Sequence, residues 1–212
     1  MQKGEKFNTL THLLGAFIAL PGIIYLIVLA AQTGDAWKIV SVSIYGFTLL
    51  LLYIASAFYH GHSGRFKRFL QRVDHISIYL LIAGTYTPYM LVTLRGAWGW
   101  SILGAVWGLA IIGMVLDSLP KKKNVGDEED KRIIQLIIYV VMGWAIVIAL
   151  KPLAENLASN GVVWLALGGG LYTFGIIFFL LSDRMKHAHG IWHLFVIGGS
   201  VSHYVSISAY VI

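Results

Sequence analysis

Charged side chains cluster along this chain and leave seven uncharged, mostly apolar windows: residues 13 to 34, 39 to 64, 75 to 94, 96 to 116, 133 to 150, 156 to 182 and 187 to 212. A helix that crosses the hydrocarbon core of a bilayer needs about 20 residues. Each window meets that length, so the pattern predicts seven transmembrane helices, at approximately 10–33, 39–60, 74–94, 97–117, 132–150, 161–182 and 188–211. The other architecture that can span a bilayer, a closed barrel, alternates apolar and polar residues in strands of roughly ten. An unbroken run such as Leu49-Leu50-Leu51-Leu52 contradicts that alternation. Seven spans leave roughly 30 residues for each span with its loop, too few for an extramembrane domain. The expected fold class is therefore all-α, a seven-transmembrane helix bundle forming a single integral membrane domain over residues 1–212.

Composition supports the membrane assignment: 58% of the residues are hydrophobic, 12% are charged, and the mean hydropathy is +0.74. The net charge of +6 resembles a nucleic-acid signal until the basic residues are assigned to loops. Lys3 and Lys6 precede the first span, and Arg65, Lys67, Arg68 and Arg72 follow the second. Lys121, Lys122, Lys123, Lys131 and Arg132 follow the fourth, and Arg184 and Lys186 follow the sixth. On the other side stand only Lys38, Arg95 and Lys151. The positive-inside rule then places the amino terminus in the cytoplasm and the carboxy terminus outside. Basicity here marks topology, with membrane lipids as the expected partner and no nucleic acid. The mixed run from Lys121 to Arg132 reads as a solvated loop.

Other features within the spans read as packing signals. Gly104 and Gly108 form a GxxxG pair, expected to pack within the chain, although a homo-oligomer contact would use the same spacing. Pro21 and Pro88 are expected to bend their helices. Trp37, Trp98, Trp100, Trp164 and Tyr210 fall near the outer ends of spans, as an interfacial aromatic belt requires.

The informative residues are polar ones inside or at the rims of the apolar windows, because placing them in lipid is costly. Ser56 and His60 end the second span, Asp74 begins the third, and His189 and His193 begin the seventh. Glu5, Asn8 and His12 open the first. Residues four apart share a helix face, so His189 pairs with His193 and Ser56 with His60. Alternating span direction puts His60, Asp74, His189 and His193 at one cytoplasmic level. The chain has no cysteine, so a metal there must use nitrogen or oxygen ligands. Three imidazoles with an open fourth position form a catalytic zinc arrangement, in which a water's pKa falls to about 7. Asp74 is the candidate base for that water, and Ser56 could donate a hydrogen bond to it or to a developing oxyanion. His62, His75 and His187 read as solvated loop residues. His203, ~15 Å deeper along its helix than His193, reads as a buried hydrogen-bond partner.

The order of these motifs resembles the hemolysin III family of bacterial membrane proteins, related to progestin and adipoQ receptors and more distantly to alkaline ceramidases. The likeness rests on Glu5 with Asn8-Thr9-Leu10-Thr11-His12, on Ser56 to His60, on Asp74 followed by Gly84-Thr85-Tyr86-Thr87-Pro88, and on His189 to His193 with His203 beyond. It implies a cell-membrane protein of seven helices with zinc at His60, His189 and His193, and with Asp74 and Ser56 attending the zinc-bound water. The leading functional expectation is a zinc-dependent hydrolase that takes a lipid-like amide or ester from the bilayer. The alternatives are a non-enzymatic membrane homeostasis factor or sensor with structural zinc, and a pore-forming cytolysin.

Overall fold

A computed structural model describes residues 4–119 and 127–212, with side chains described from 132 onward in the second segment. Among the described residues there are eight α-helices. They are α1 (Lys6–Gln32), α2 (Ala36–Gly61), α3 (Lys67–Pro88), α4 (Ala97–Ser118), α5 (Asp127–Trp144), the short α6 (Leu150–Asn156), α7 (Ser159–Leu180) and α8 (Ala188–Tyr210). The fold is an all-α transmembrane bundle. Among the described residues six stretches are long and apolar enough to cross a membrane, and α5 and α6 together supply one of them. The seventh expected span, α8, is equally long at 23 residues but carries His189, His193, His203 and several serines.

The bundle is inverted relative to a water-soluble protein. Phe17 is 79% exposed and Ile148 75%, while His12, Ser56, His60, His193 and His203 are buried. In lipid this distribution is the stable one, since apolar side chains lose nothing by facing acyl chains and polar groups must find partners inside.

Helix bounds depart from the apolar windows where charge marks the membrane surface rather than the helix end. α3 starts at Lys67, before its expected span, because an amphipathic turn carrying Lys67, Arg68 and Arg72 can stay helical outside the hydrocarbon. The expected span at 132–150 is broken. α5 gives way to a 3₁₀ segment, Ala145–Ala149, before α6. The Tyr86 hydroxyl explains the break: it donates to the Gly143 carbonyl and accepts from the Ile146 amide, both at 2.9 Å, so it enters the helical ladder there. Pro88 ends α3, and the backbone continues as a π-helical turn, Tyr89–Thr93. Pro21, by contrast, lies within an uninterrupted α1.

Two expectations about surface features need correction. A Cβ at Gly104 or Gly108 meets nothing among the described residues, so this pair faces away from the described bundle. GxxxG spacing fixes which residues share a face but says nothing of what that face meets. The basic Lys121 to Lys123 lie outside the described residues, and α5 begins within the acidic part of the expected loop, at Asp127. The aromatic belt has a visible partner pair: Trp37 and Trp100 meet edge to face at 5.6 Å, with the Arg95 guanidinium 4.8 Å from the Trp37 ring.

What positions the site is the packing of α1 against α2 and of α7 against α8, with α8 also closing onto α1. Gly190 permits that closure, since a Cβ there would collide with Phe7 and Asn8 of α1.

Candidate metal centre

His60 ends α2 with its ring buried, and His189 and His193 stand one turn apart at the start of α8. The three rings converge, with centroids 4.9 Å apart for His60 and His189, 5.0 Å for His60 and His193, and 4.8 Å for His189 and His193. One nitrogen from each lies within 4.8 Å of the others, so together they can hold a metal ion.

Proton placement strengthens the fit. The His60 Nδ1 lies 2.7 Å from Oε2 of Glu5, and the His60 hydrogen bond is the main cause that holds the Glu5 carboxyl down at about 2. An ionised carboxylate only accepts, so Nδ1 of His60 carries the proton. The His193 Nδ1 lies 3.1 Å from the Asn8 carbonyl, also an acceptor only, and 3.0 Å from the Thr11 hydroxyl. The Ser182 hydroxyl donates to the Phe179 carbonyl at 2.6 Å and so accepts from His189 Nδ1 at 3.3 Å. All three rings are therefore Nδ1–H tautomers with their lone pairs on Nε2. Each of those three Nε2 atoms is buried with no hydrogen-bond partner among the described residues. Buried polar atoms are rarely left unpaired, and three unpaired on facing rings are what a cation would satisfy.

The proposed attendants lie close by. Ser56 is buried one turn before His60 and, like His60, lies within electrostatic reach of the Asp74 carboxyl. A cavity of about 290 Å³, lined by Glu5, Asn8, Ser182, Lys186, His187 and His189 among others, reaches the cluster from the basic-loop end.

Three features escaped sequence reasoning. The first turns of α1 supply the outer hydrogen bonds of two of the three imidazoles; carboxylate or carbonyl partners on a helix start leave no spacing signal linking them to residues 55 and 185 positions away. His12 is 2% exposed and stacks on His193 at 3.6 Å, with neither ring nitrogen hydrogen-bonded among the described residues. His75, expected in a solvated loop, sits inside α3 with its Nδ1 3.7 Å from Asp117 of α4 and 3.4 Å from the Gln135 amide of α5. Asp117, at the charged end of the fourth expected span, carried no signal of that contact. His187 caps α8 in the left-handed conformation, at φ 65°, and packs edge-on against Phe7. His203, as expected, hydrogen-bonds a backbone carbonyl, that of Leu165 at 3.2 Å.

A sequence model of the family described as Haemolysin-III related matches residues 2–204, nearly the whole chain. The chain belongs to the haemolysin III family. Among similar proteins, "Hemolysin-3" of Bacillus cereus is 40% identical over 211 residues, 99% of this chain and 93% of that protein. The "Hemolysin-3 homolog" of Bacillus subtilis (strain 168) is 40% identical over 209 residues, covering 98% and 94%. A human relative, "Monocyte to macrophage differentiation factor", is 29% identical over 210 residues, covering 96% and 82%. This haemolysin III protein is thus a multi-pass membrane protein, and its family match encloses every residue of the histidine cluster.

Proposed function

We propose that this haemolysin III protein is a zinc-dependent hydrolase of lipid amide or ester bonds, with Zn²⁺ held by His60, His189 and His193. The observation that carries the reading is the set of three convergent Nε2 atoms, without a hydrogen-bond partner among the described residues, whose Nδ1 protons are committed elsewhere. Borderline-soft zinc suits an all-imidazole set, and three protein ligands leave a position open for chemistry. When bound, such an ion supplies Lewis acidity, polarising a carbonyl and making a water acidic near pH 7.

The chain's own residues do the rest. Asp74 takes the proton of the attacking water and returns it to the departing amine or alcohol. Ser56, beside Asp74, serves in this reading to hold that carboxyl toward the reacting atoms. The acyl chains of a substrate stay in the bilayer, while the cavity beside Glu5 and His189 admits water from the loop side.

The test uses protein purified in detergent, with metal content measured by elemental analysis and turnover of ceramide-like and acyl-amide lipids followed by mass spectrometry. One zinc per chain is expected, and Asp74→Asn is expected to keep the zinc while losing about 10²- to 10⁴-fold in rate. A zinc-loaded wild type that turns over none of these lipids overturns the hydrolase reading. An equal cellular phenotype for wild type and Asp74→Asn would favour structural zinc instead.

A further inference from the structure

We propose that Glu5 is a positioning residue of the metal centre: its carboxylate holds the His60 ring in its metal-binding tautomer and lends negative charge, through that ring, to the cation. This assignment rests on the zinc reading above.

Glu5 occupies the N-cap position of α1, where a side chain ordinarily bonds its own helix's free amides. It makes no such bond. Its Oε2 instead takes the His60 Nδ1 proton at 2.7 Å and a second hydrogen bond from the Asn8 side chain at 2.8 Å. Oε1 lies 3.9 Å from the Lys67 ammonium. The carboxylate is thus fixed from three sides, by α1, α2 and α3, and directed at a ring rather than at solvent.

The three imidazoles are not held alike. His189 has a neutral hydroxyl at 3.3 Å and His193 a carbonyl and a hydroxyl at 3.1 and 3.0 Å. Among the described residues only His60 of the three hydrogen-bonds an anion, and at the shortest distance. A carboxylate behind a ligating imidazole raises the basicity of the ring's other nitrogen and locks its orientation, and losing such an outer partner weakens metal binding by about 10- to 100-fold. His60 should therefore be the strongest donor of the set, and Glu5 its cause.

The experiment takes the full chain in detergent, strips it with a chelator, and titrates it with Zn²⁺ against a chromophoric competitor and with Co²⁺ as an optical probe. Glu5→Gln keeps an acceptor of the same shape without the charge; Glu5→Ala removes both. Affinity for zinc is expected to fall about 10-fold in Glu5→Gln and about 100-fold in Glu5→Ala. Both variants should still show the visible Co²⁺ bands of a low-coordinate site at saturation, and Glu5→Gln, which keeps an acceptor for His60 Nδ1, should have a metal-free melting temperature equal to that of the wild type. Ser182→Ala should change zinc affinity less than Glu5→Gln. Zinc affinity in Glu5→Gln within twofold of the wild type overturns the assignment while leaving the zinc site standing. A metal-free melting temperature that falls in Glu5→Gln as far as the zinc-bound one shows a structural tether and also overturns it. A wild type that binds neither metal overturns the zinc reading, and this assignment with it.

Discussion

Two groups of histidine and acid side chains sit toward the same end of the bundle, and they are built oppositely. In the first, His60, His189 and His193 from α2 and α8 turn their Nδ1 protons outward to Glu5, Ser182 and Asn8, leaving three Nε2 atoms facing one another unpaired. In the second, His75, Asp117 and Gln135 from α3, α4 and α5 address each other: the Gln135 amide reaches both His75 and Asp117, and the Tyr139 hydroxyl donates to the His75 carbonyl at 3.1 Å. The first group could hold a metal ion on its free nitrogens, whereas the second largely closes on itself and joins three helices. Histidine next to a carboxylate is common to both. What separates them is the direction of the lone pairs, which decides whether burial creates a demand for a cation or removes one.

The sharpest way to break this comparison is to delete one ring from each group. In the first, His193→Ala should abolish zinc binding. With zinc at 100 times its Kd, the wild type gains about 2.7 kcal/mol of stability, and the variant should gain none. His75→Ala should keep the full gain. Thermal unfolding in detergent with zinc and with chelator reads both. A zinc-dependent shift that survives His193→Ala, or vanishes in His75→Ala, would erase the distinction between the groups.

A smaller effect is expected where α1 meets α8. At Gly190 a methyl group would collide with Phe7 and Asn8, the turn that supplies the outer partners of His60 and His193. Gly190→Ala should cost ~1–3 kcal/mol and weaken zinc binding as well, because relief of the clash moves α1 off the rings. Loss of stability with unchanged zinc affinity would show that α1 can shift without disturbing the ligands.

Next comes the second group. Asp117→Ala leaves His75 and the Gln135 amide without their carboxylate in a largely buried setting, at a cost of ~1–3 kcal/mol. Zinc affinity should not change. A fall in zinc affinity would mean that the two groups communicate through α3, which carries Asp74 beside His75.

How far these groups could be read from the chain differs in an instructive way. The spans were legible because lipid imposes a length and forbids charge, and seven windows followed from the positions of Lys, Arg, Asp and Glu alone. The inner ring of the site was legible too, since His189 and His193 share a face by spacing and span direction brings His60 to their level. The outer partners were not. Whether Glu5 meets His60 depends on how α1 rotates about its axis, and an apolar helix with a nearly uniform surface carries no pattern that fixes its rotation. The break at Ala145–Ala149 was hidden for a similar reason, because its cause, Tyr86, lies on another helix. His75 was misread, and its contact with Asp117 missed, because a polar residue at a window's edge has the same sequence signature in a loop and in an interhelical bond.

The smallest effect belongs to the outer face of α4, set against its inner face. Gly113 faces inward against the Tyr79 ring, which itself packs on Tyr139 beneath the second group at 4.5 Å, so a Cβ there has no room. Gly104 and Gly108 face outward, and a Cβ on either meets no described atom. Gly113→Ala should therefore destabilise the bundle by ~1–3 kcal/mol, while Gly104→Ala and Gly108→Ala should stay within ~0.5 kcal/mol of the wild type. Unfolding at high detergent-to-protein ratio measures this in the isolated chain. Repeating it in lipid bilayers at rising protein density asks whether the outward pair meets a second copy. A loss that appears for Gly104→Ala only at high density would place a homo-oligomer contact on that face, and an unchanged stability at every density would leave α4's outer surface to lipid alone.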